Sequence, residues 1–171
     1  MTSILFTLWT SILSAQPLVT PHTTTTLGST LHYLEAAPPP RAVTVFLLHG
    51  GRFTSDTWLE IGTISTLAEE GHHVVAVDLP GYGQSDTSSV PRNDYLHQAL
   101  AERWPNRRVI IVSPSMSGGF SLPFVATHPE RVVGFVPVAP GGVAEYRSRL
   151  ANVDVPALVV WGEHDDVIPV S

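Results

Sequence analysis

The stretch Ile110-Ile111-Val112-Ser113-Pro114-Ser115-Met116-Ser117-Gly118-Gly119 decides the fold of this 171-residue chain. Its β-branched apolar residues predict a buried strand, and the small residues after them predict a tight turn into a helix. A serine at the centre of such a turn is held at a strained backbone angle that pushes its hydroxyl out of the sheet. The plainer interpretation is a serine-rich turn without chemistry. The strand before and the helix after favour Ser115 as a nucleophile, with Ser113 and Ser117 as the small neighbours that close backbone contacts require.

Segments of strand and helix length alternate on both sides of this turn. Apolar runs predict strands at residues 30–35, 43–48, 74–77, 108–112, 132–138 and 157–161. Helical spacing of apolar residues predicts helices at residues 58–67, 94–104 and 117–128. Continuous apolar strands are typical of sheets covered on both faces. The alternation therefore predicts an α/β fold with a mostly parallel sheet and helices on both faces.

Polar or glycine-rich residues follow several of these strands, at the sheet edge where α/β proteins place their reactive groups. His49-Gly50-Gly51 follows an early strand, Asp78 precedes Gly81 and Gly83, and residues 162–166 follow the last strand. Acyl transfer requires two backbone N–H groups that face the developing oxyanion. The residue after the nucleophile, Met116, and the early loop residue Gly51 are the candidates for this oxyanion hole. His49 is expected to order its loop through hydrogen bonds and not to act as a base.

A carboxylate after the last strand would complete a serine triad by orienting a histidine. Asp165 has the favoured spacing, three residues after Gly162, and Asp166 is the competitor. The plainer interpretation of both residues is a solvated acidic loop. His164 directly precedes these acids in the chain, which is the wrong order for the base.

Composition excludes several classes of function. The net charge is −6 and all nine cations are Arg, so the chain lacks the positive charge of a nucleic-acid binder. The absence of Cys excludes disulfides, thiolate metal sites and a Cys nucleophile. The eight His residues are scattered, so no metal site is expected. A dinucleotide-binding domain is disfavoured because no G-x-G-x-x-G turn follows the first strand.

The motifs together resemble the α/β-hydrolase superfamily and, within it, the α/β-hydrolase-domain-containing protein 14 subfamily. The motifs that carry this resemblance lie at residues 47–53 with Trp58, 78–83, 113–118 with 121–124, and 134–140, and the similarity runs from about residue 24 to residue 166. The serines at both positions flanking Ser115 make it more specific than a lone G-x-S-x-G match. One departure is Gly51, where the family carries a larger apolar residue.

The resemblance implies a serine hydrolase or acyltransferase that acts on a small acyl ester or an acetyl-amide. One family member is described as a lysine deacetylase that passes acetyl to coenzyme A. The implied partners are thus a small acyl substrate or an acetylated protein, with coenzyme A as acyl acceptor and no other cofactor. In the family order the histidine base follows the acid, but only five residues follow Asp166 and none is His. We therefore expect a C-terminally incomplete hydrolase with little turnover. The alternative is a non-catalytic interaction module that reuses the fold.

The N-terminal segment is distinct in composition. An apolar run from Ile4 to Leu13 precedes the small residue Ala15, as in a signal peptide, but no Lys or Arg precedes the run. The run is too short to span a membrane. Residues 1–19 are accordingly predicted to be a signal segment or a disordered tail, and residues 20–171 a truncated α/β-hydrolase domain. The resemblance implies a cytoplasmic location, whereas a functional signal in the first 15 residues would direct the chain to secretion or the endomembrane system.

Overall fold

Six strands form one mixed sheet in the order β1-β2-β4-β3-β5-β6 in the computed structural model, which describes residues 17–36 and 43–169. The strands are β1 Val19–Thr26, β2 Ser29–Ala36, β3 Val43–Leu47, β4 His73–Val77, β5 Arg108–Pro114 and β6 Val132–Val138. Strands β4, β3, β5 and β6 run parallel, and β1 and β2 add an antiparallel hairpin at one edge. The predicted, mostly parallel sheet is confirmed. Of the signal segment or tail predicted over residues 1–19, residues 1–16 lie outside the described residues, and Val19 begins β1.

Helices cover both faces of this sheet. They are α1 Ser55–Glu60, α2 Thr63–Glu69, α3 Arg92–Arg103, α4 Gly118–Thr127 and α5 Val143–Leu150. Successive residues of β3 show the two faces: Phe46 packs in the core shared with α3, α4 and α5, whereas Val45 and Leu47 pack with α2. Both faces of the central strands are thus buried, which explains their continuous apolar sequences.

The structure differs from the sequence-based expectation in three places. The helix expected over residues 58–67 is two helices, because Gly62 adopts φ +77° and ends the first of them. The strand expected at residues 157–161 forms two isolated bridges to β6, at Ala157 and Val160. The connection after β6, in which no helix was expected, contains α5. In the first case a single glycine overrides the local apolar pattern.

The threonine-rich segment 23–26 completes β1, which pairs with β2 along its whole length. Leu27 and Gly28 form the two-residue turn between these strands, both with positive φ, as a twisted hairpin requires. Within the described ranges, none of the helices is long and apolar enough to cross a lipid bilayer.

Candidate active site

Ser115 lies at a sharp bend between β5 and α4. Its φ of +51° is in the left-handed region, which a residue with a side chain rarely adopts. Such strain costs about 1–3 kcal/mol and persists only where the surrounding structure enforces it. The side chain is half-buried, and its hydroxyl has no hydrogen-bond partner among the described residues. The bend therefore presents a free hydroxyl at the carboxyl end of the sheet, in the geometry that the sequence predicted for a nucleophile.

The serines that flank Ser115 are fully buried and joined by hydrogen bonds. The Ser117 hydroxyl donates to the Pro114 carbonyl at 2.8 Å, so the Ser113 hydroxyl donates to Ser117 Oγ at 2.9 Å. Ser121 then donates to Ser113 Oγ at 2.6 Å. These hydrogen bonds satisfy all three buried hydroxyls, which explains how serine can occupy the flanking positions where glycine is usual. Ser121 was not predicted, although the four-residue spacing from Ser113 to Ser117 to Ser121 is a signal that could have found it.

The closest backbone approach at the bend occurs at Gly118, the first residue of α4. A Cβ at this position would collide with the Gly141 carbonyl oxygen and lie 2.9 Å from Pro140 Cβ. The Gly141 N–H donates to the Ser115 carbonyl at 2.8 Å. The loop after β6 therefore contacts the bend directly, and only glycine at position 118 avoids a clash with this loop.

Gly118→Ala should destabilise the fold by about 1–3 kcal/mol, because its new methyl group meets rigid backbone. Chemical denaturation would measure the change in the free energy of unfolding. Gly119→Ala is the matched control, since a Cβ there meets only the flexible Arg92 side chain, 2.9 Å from its Cδ. Equal losses for the two variants would contradict this explanation.

The loop that follows β3 lies against the bend. A Cβ at Gly50 would lie 3.7 Å from Ser115 Cβ, and a Cβ at Gly51 would lie 3.5 Å from Met116 Cβ. The structure thus brings Gly51 and Met116, the two candidates for the oxyanion hole, next to each other beside Ser115. A Cβ at position 51 would make ordinary van der Waals contact with Met116, so the backbone here does not require glycine.

His49 ties the same loop to the loop after β4. Its Nδ1–H donates to the Gly50 carbonyl at 2.8 Å, and its Nε2 accepts the Leu79 N–H at 3.0 Å. The side chain is only 1% exposed. Burial lowers the pKa of His49, although the Gly50 carbonyl and the Asp78 charge act in the opposite direction. Both ring nitrogens are occupied, so His49 orders its loop, as expected from the sequence.

Because of His49, the free energy of unfolding should decrease as the pH falls below about 6.5. The unfolded chain takes up a proton there, whereas the folded imidazole, with its lowered pKa, resists protonation. His49→Gln keeps a donor and an acceptor but does not titrate. The free energy of unfolding of the wild type should therefore fall more steeply than that of the variant as the pH is lowered from about 7.5 to 5.5. Parallel pH dependences in the two proteins would count against this role.

Asp78 lies after β4 and is 2% exposed. Its Oδ1 accepts the Ser55 N–H at 2.7 Å, and its Oδ2 accepts the Gln84 N–H at 2.9 Å and His32 Nδ1–H at 3.0 Å. Burial alone raises the pKa of this carboxyl, but these donors outweigh burial and hold the pKa below its ordinary value. A Cβ at Gly83 would collide with the same carboxylate. The polar residue at this strand end therefore anchors the surrounding loops.

The two acidic candidates differ in how firmly they are held. Asp165 Oδ1 accepts the Ile168 N–H at 2.8 Å and the Val167 N–H at 3.1 Å, and the residue is half-buried. Asp166 is exposed. The carboxylate of Asp165 is thus held by backbone N–H groups of its own turn. Both of these hydrogen bonds are made to Oδ1, and Oδ2 takes part in neither. Across the described ranges, no imidazole is hydrogen-bonded to either aspartate or to Ser115.

Comparison with known proteins agrees with this architecture. The family model for the alpha/beta hydrolase fold matches residues 43–146. The chain is 41% identical over 124 residues to Protein ABHD14A of Danio rerio, a match that covers 70% of this chain and 46% of that protein. It is 37% identical over 148 residues to human "Putative protein-lysine deacylase ABHD14B", a match that covers 81% of this chain and 70% of that protein.

A solved CIB-like hydrolase from Thermoplasma acidophilum superposes with a TM-score of 0.80 at 22% identity, over 90% of this chain and 78% of that one. This likeness concerns the fold alone. The chain spans about half to two thirds of the length of the ABHD14A relatives, with 46% of the Danio rerio protein and 62% of the human protein matched. The family model and these identities show that the chain belongs to the α/β-hydrolase family and, within it, is ABHD14-like.

Proposed function

We propose that this protein is a serine acyl hydrolase or acyltransferase of the α/β-hydrolase type, acting on a small acyl ester or an acylated lysine side chain. The observation that carries the proposal is the strained Ser115 beside the loop at Gly50 and Gly51, with φ +51° and a hydroxyl that no residue in the described ranges hydrogen-bonds. The name of the human relative, a protein-lysine deacylase, supports the acyl-lysine substrate. An acetylated protein is then the expected partner.

In this proposal the Ser115 oxygen attacks the acyl carbon and its proton passes to a base. The N–H groups of Gly51 and Met116 stabilise the oxyanion that forms, because they are fixed in place before the reaction and need not reorganise. Collapse of the tetrahedral intermediate breaks the bond to the leaving amine or alcohol, which takes up the proton. The acyl group on Ser115 then passes to water or to the thiol of coenzyme A.

Asp165 is the residue that would orient a histidine base in this reaction. Its Oδ1 is held by two backbone N–H groups, which leaves Oδ2 for an imidazole. Asp166 is the weaker candidate because it is exposed. No such histidine follows the acids in this sequence. A serine hydroxyl without a base is a weak nucleophile, so the proposed reaction requires such a histidine.

One observation favours the alternative, a non-catalytic interaction module. No imidazole among the described residues is hydrogen-bonded to Ser115. This alternative predicts that ligand or partner binding is unchanged by Ser115→Ala.

The test of the proposed function is covalent labelling with a fluorophosphonate probe. The reaction forms a bond between Ser115 Oγ and phosphorus, releases fluoride and transfers the hydroxyl proton to solvent or to a base. Mass spectrometry after prolonged incubation should find one adduct per chain, on the peptide that contains Ser115. An adduct on another residue, or none at saturating probe, would overturn the assignment.

A further inference from the structure

A cavity of about 490 Å³ opens beside the bend that carries Ser115. Met116, the candidate oxyanion residue, lines it together with Gly141, whose N–H holds the Ser115 carbonyl. A group that reacts at Ser115 would therefore have this cavity as its immediate neighbour. The cavity also contains one cation, Arg92, and one carboxylate, Glu145.

Arg92 is positioned by packing. It is the first residue of α3, and its guanidinium carbon lies 5.1 Å from the centre of the Phe120 ring. Its Cδ lies so close to Gly119 that a Cβ there would approach it to 2.9 Å. The glycine thus allows the arginine side chain to lie against the first turn of α4, next to the bend.

The Arg92 guanidinium forms no ion pair with any carboxylate in the described ranges. Glu145 also lines the cavity, but its carboxylate is not within ion-pair distance of the Arg92 guanidinium. An unpaired guanidinium presents a fork of N–H donors that matches a carboxylate or a phosphate. At the positive end of α4, an anion would gain further stabilisation from the helix dipole.

We propose that Arg92 binds an oxyanion group, a carboxylate or a phosphate, carried by the molecule that reacts at Ser115. This inference rests on the proposed function, because it assigns a specificity residue to that site. The carboxylate would belong to a dicarboxylic acyl group such as succinyl, and the phosphate to an acyl acceptor such as coenzyme A. The net charge of −6 repels anions in general, so a preference for an anionic ligand must come from a local cation.

The test measures binding and needs no turnover. Fluorescence anisotropy compares one labelled peptide carrying either succinyl-lysine or butyryl-lysine, two acyl groups with four carbons each. The wild type should bind the succinyl peptide up to about fivefold more tightly, the effect of one ion pair at an exposed arginine. Arg92→Gln should remove this preference, and Arg92→Lys should keep part of it. A second arm compares coenzyme A with pantetheine, which lacks its phosphates.

Two further variants sharpen the test. Gly119→Ala should reduce the preference without removing the charge, because its methyl group displaces the Arg92 side chain. Arg108→Gln, an exposed cation at the opposite end of β5, is the matched control and should bind like the wild type. Circular dichroism and thermal melting would verify that each variant is folded.

An Arg92-dependent preference in the succinyl arm alone identifies an acyl carboxylate, and one in the coenzyme A arm alone identifies a phosphate. The inference is wrong if Arg92→Gln leaves the preference for the anionic ligand unchanged in both arms. It is also wrong if the variant lowers the affinities for the anionic and the neutral ligands equally. Failure of the proposed nucleophile is seen separately, since it would abolish probe labelling of Ser115 while leaving these affinities unchanged.

Discussion

Ser115→Ala should abolish fluorophosphonate labelling completely, whereas a single serine substitution on the surface should leave it unchanged. The reason is local: Ser115 has a strained backbone, its hydroxyl is not hydrogen-bonded within residues 17–36 and 43–169, and it lies beside Gly50 and Met116. Ser113 and Ser117 are buried and their hydroxyls are engaged, so they cannot replace it. Intact-mass spectrometry of the protein after probe treatment would measure the loss.

Ser148→Ala is the control, because Ser148 is exposed on α5 and its removal leaves the bend untouched. Added imidazole extends the test. If Ser115 lacks only its base, imidazole should raise the labelling rate of the 171-residue chain, because it can accept the hydroxyl proton. It should have no effect on Ser115→Ala. An equal response in both proteins would show that the labelled group is not Ser115.

Asp78→Ala should cost about 3–5 kcal/mol in the free energy of unfolding, the largest stability effect that we expect. Three donors lose their acceptor in this variant: the Ser55 N–H, the Gln84 N–H and the His32 ring. Ser55 and His32 are buried, so their donors would be left unsatisfied, whereas Gln84 is exposed and water can replace its lost acceptor. Guanidinium denaturation at neutral pH would measure the change.

The control for Asp78 is Asp86→Ala. Asp86 also accepts a backbone N–H, from Thr30 at 3.2 Å, but it is exposed, so water replaces the lost bond and a much smaller effect is expected. The difference should also depend on pH. Because the folded pKa of Asp78 is lowered, its contribution is complete above the unfolded pKa of about 3.9 and is lost as the pH falls through the folded value. A cost of Asp78→Ala that stayed constant into strong acid would contradict this account.

Asp78 also shows what sequence-based prediction cannot provide. Asp78 follows a strand near glycines, which is the pattern of a reactive group at the carboxyl edge of a sheet. In the structure its three polar contacts tie it to the start of α1 at Ser55, to the loop at Gln84 and to His32 of β2, which is 46 residues away in the chain. A local pattern locates a residue at that edge, but it does not reveal which donors meet it there.

The bend at Ser115, by contrast, was predictable because its determinants are local. A buried strand, small flanking residues and a following helix are enough to force a positive φ, and residues 110–119 contain them all. The same holds for β6, whose predicted range, 132–138, agrees with the observed strand. Apolar periodicity and tight-turn sterics act over a few residues, so they can be read in order along the chain.

The sequence alone therefore determined the α/β architecture, the position of Ser115 and the small residues around it. Only the tertiary structure decided that Gly118 meets the backbone of Gly141, that His49 uses both ring nitrogens to join two loops, and that Arg92 lies in the cavity beside Met116. The physical reason is that hydrogen bonds and close contacts join residues by distance in space. Which distant residues meet depends on strand order and crossovers, and a single segment does not contain that information.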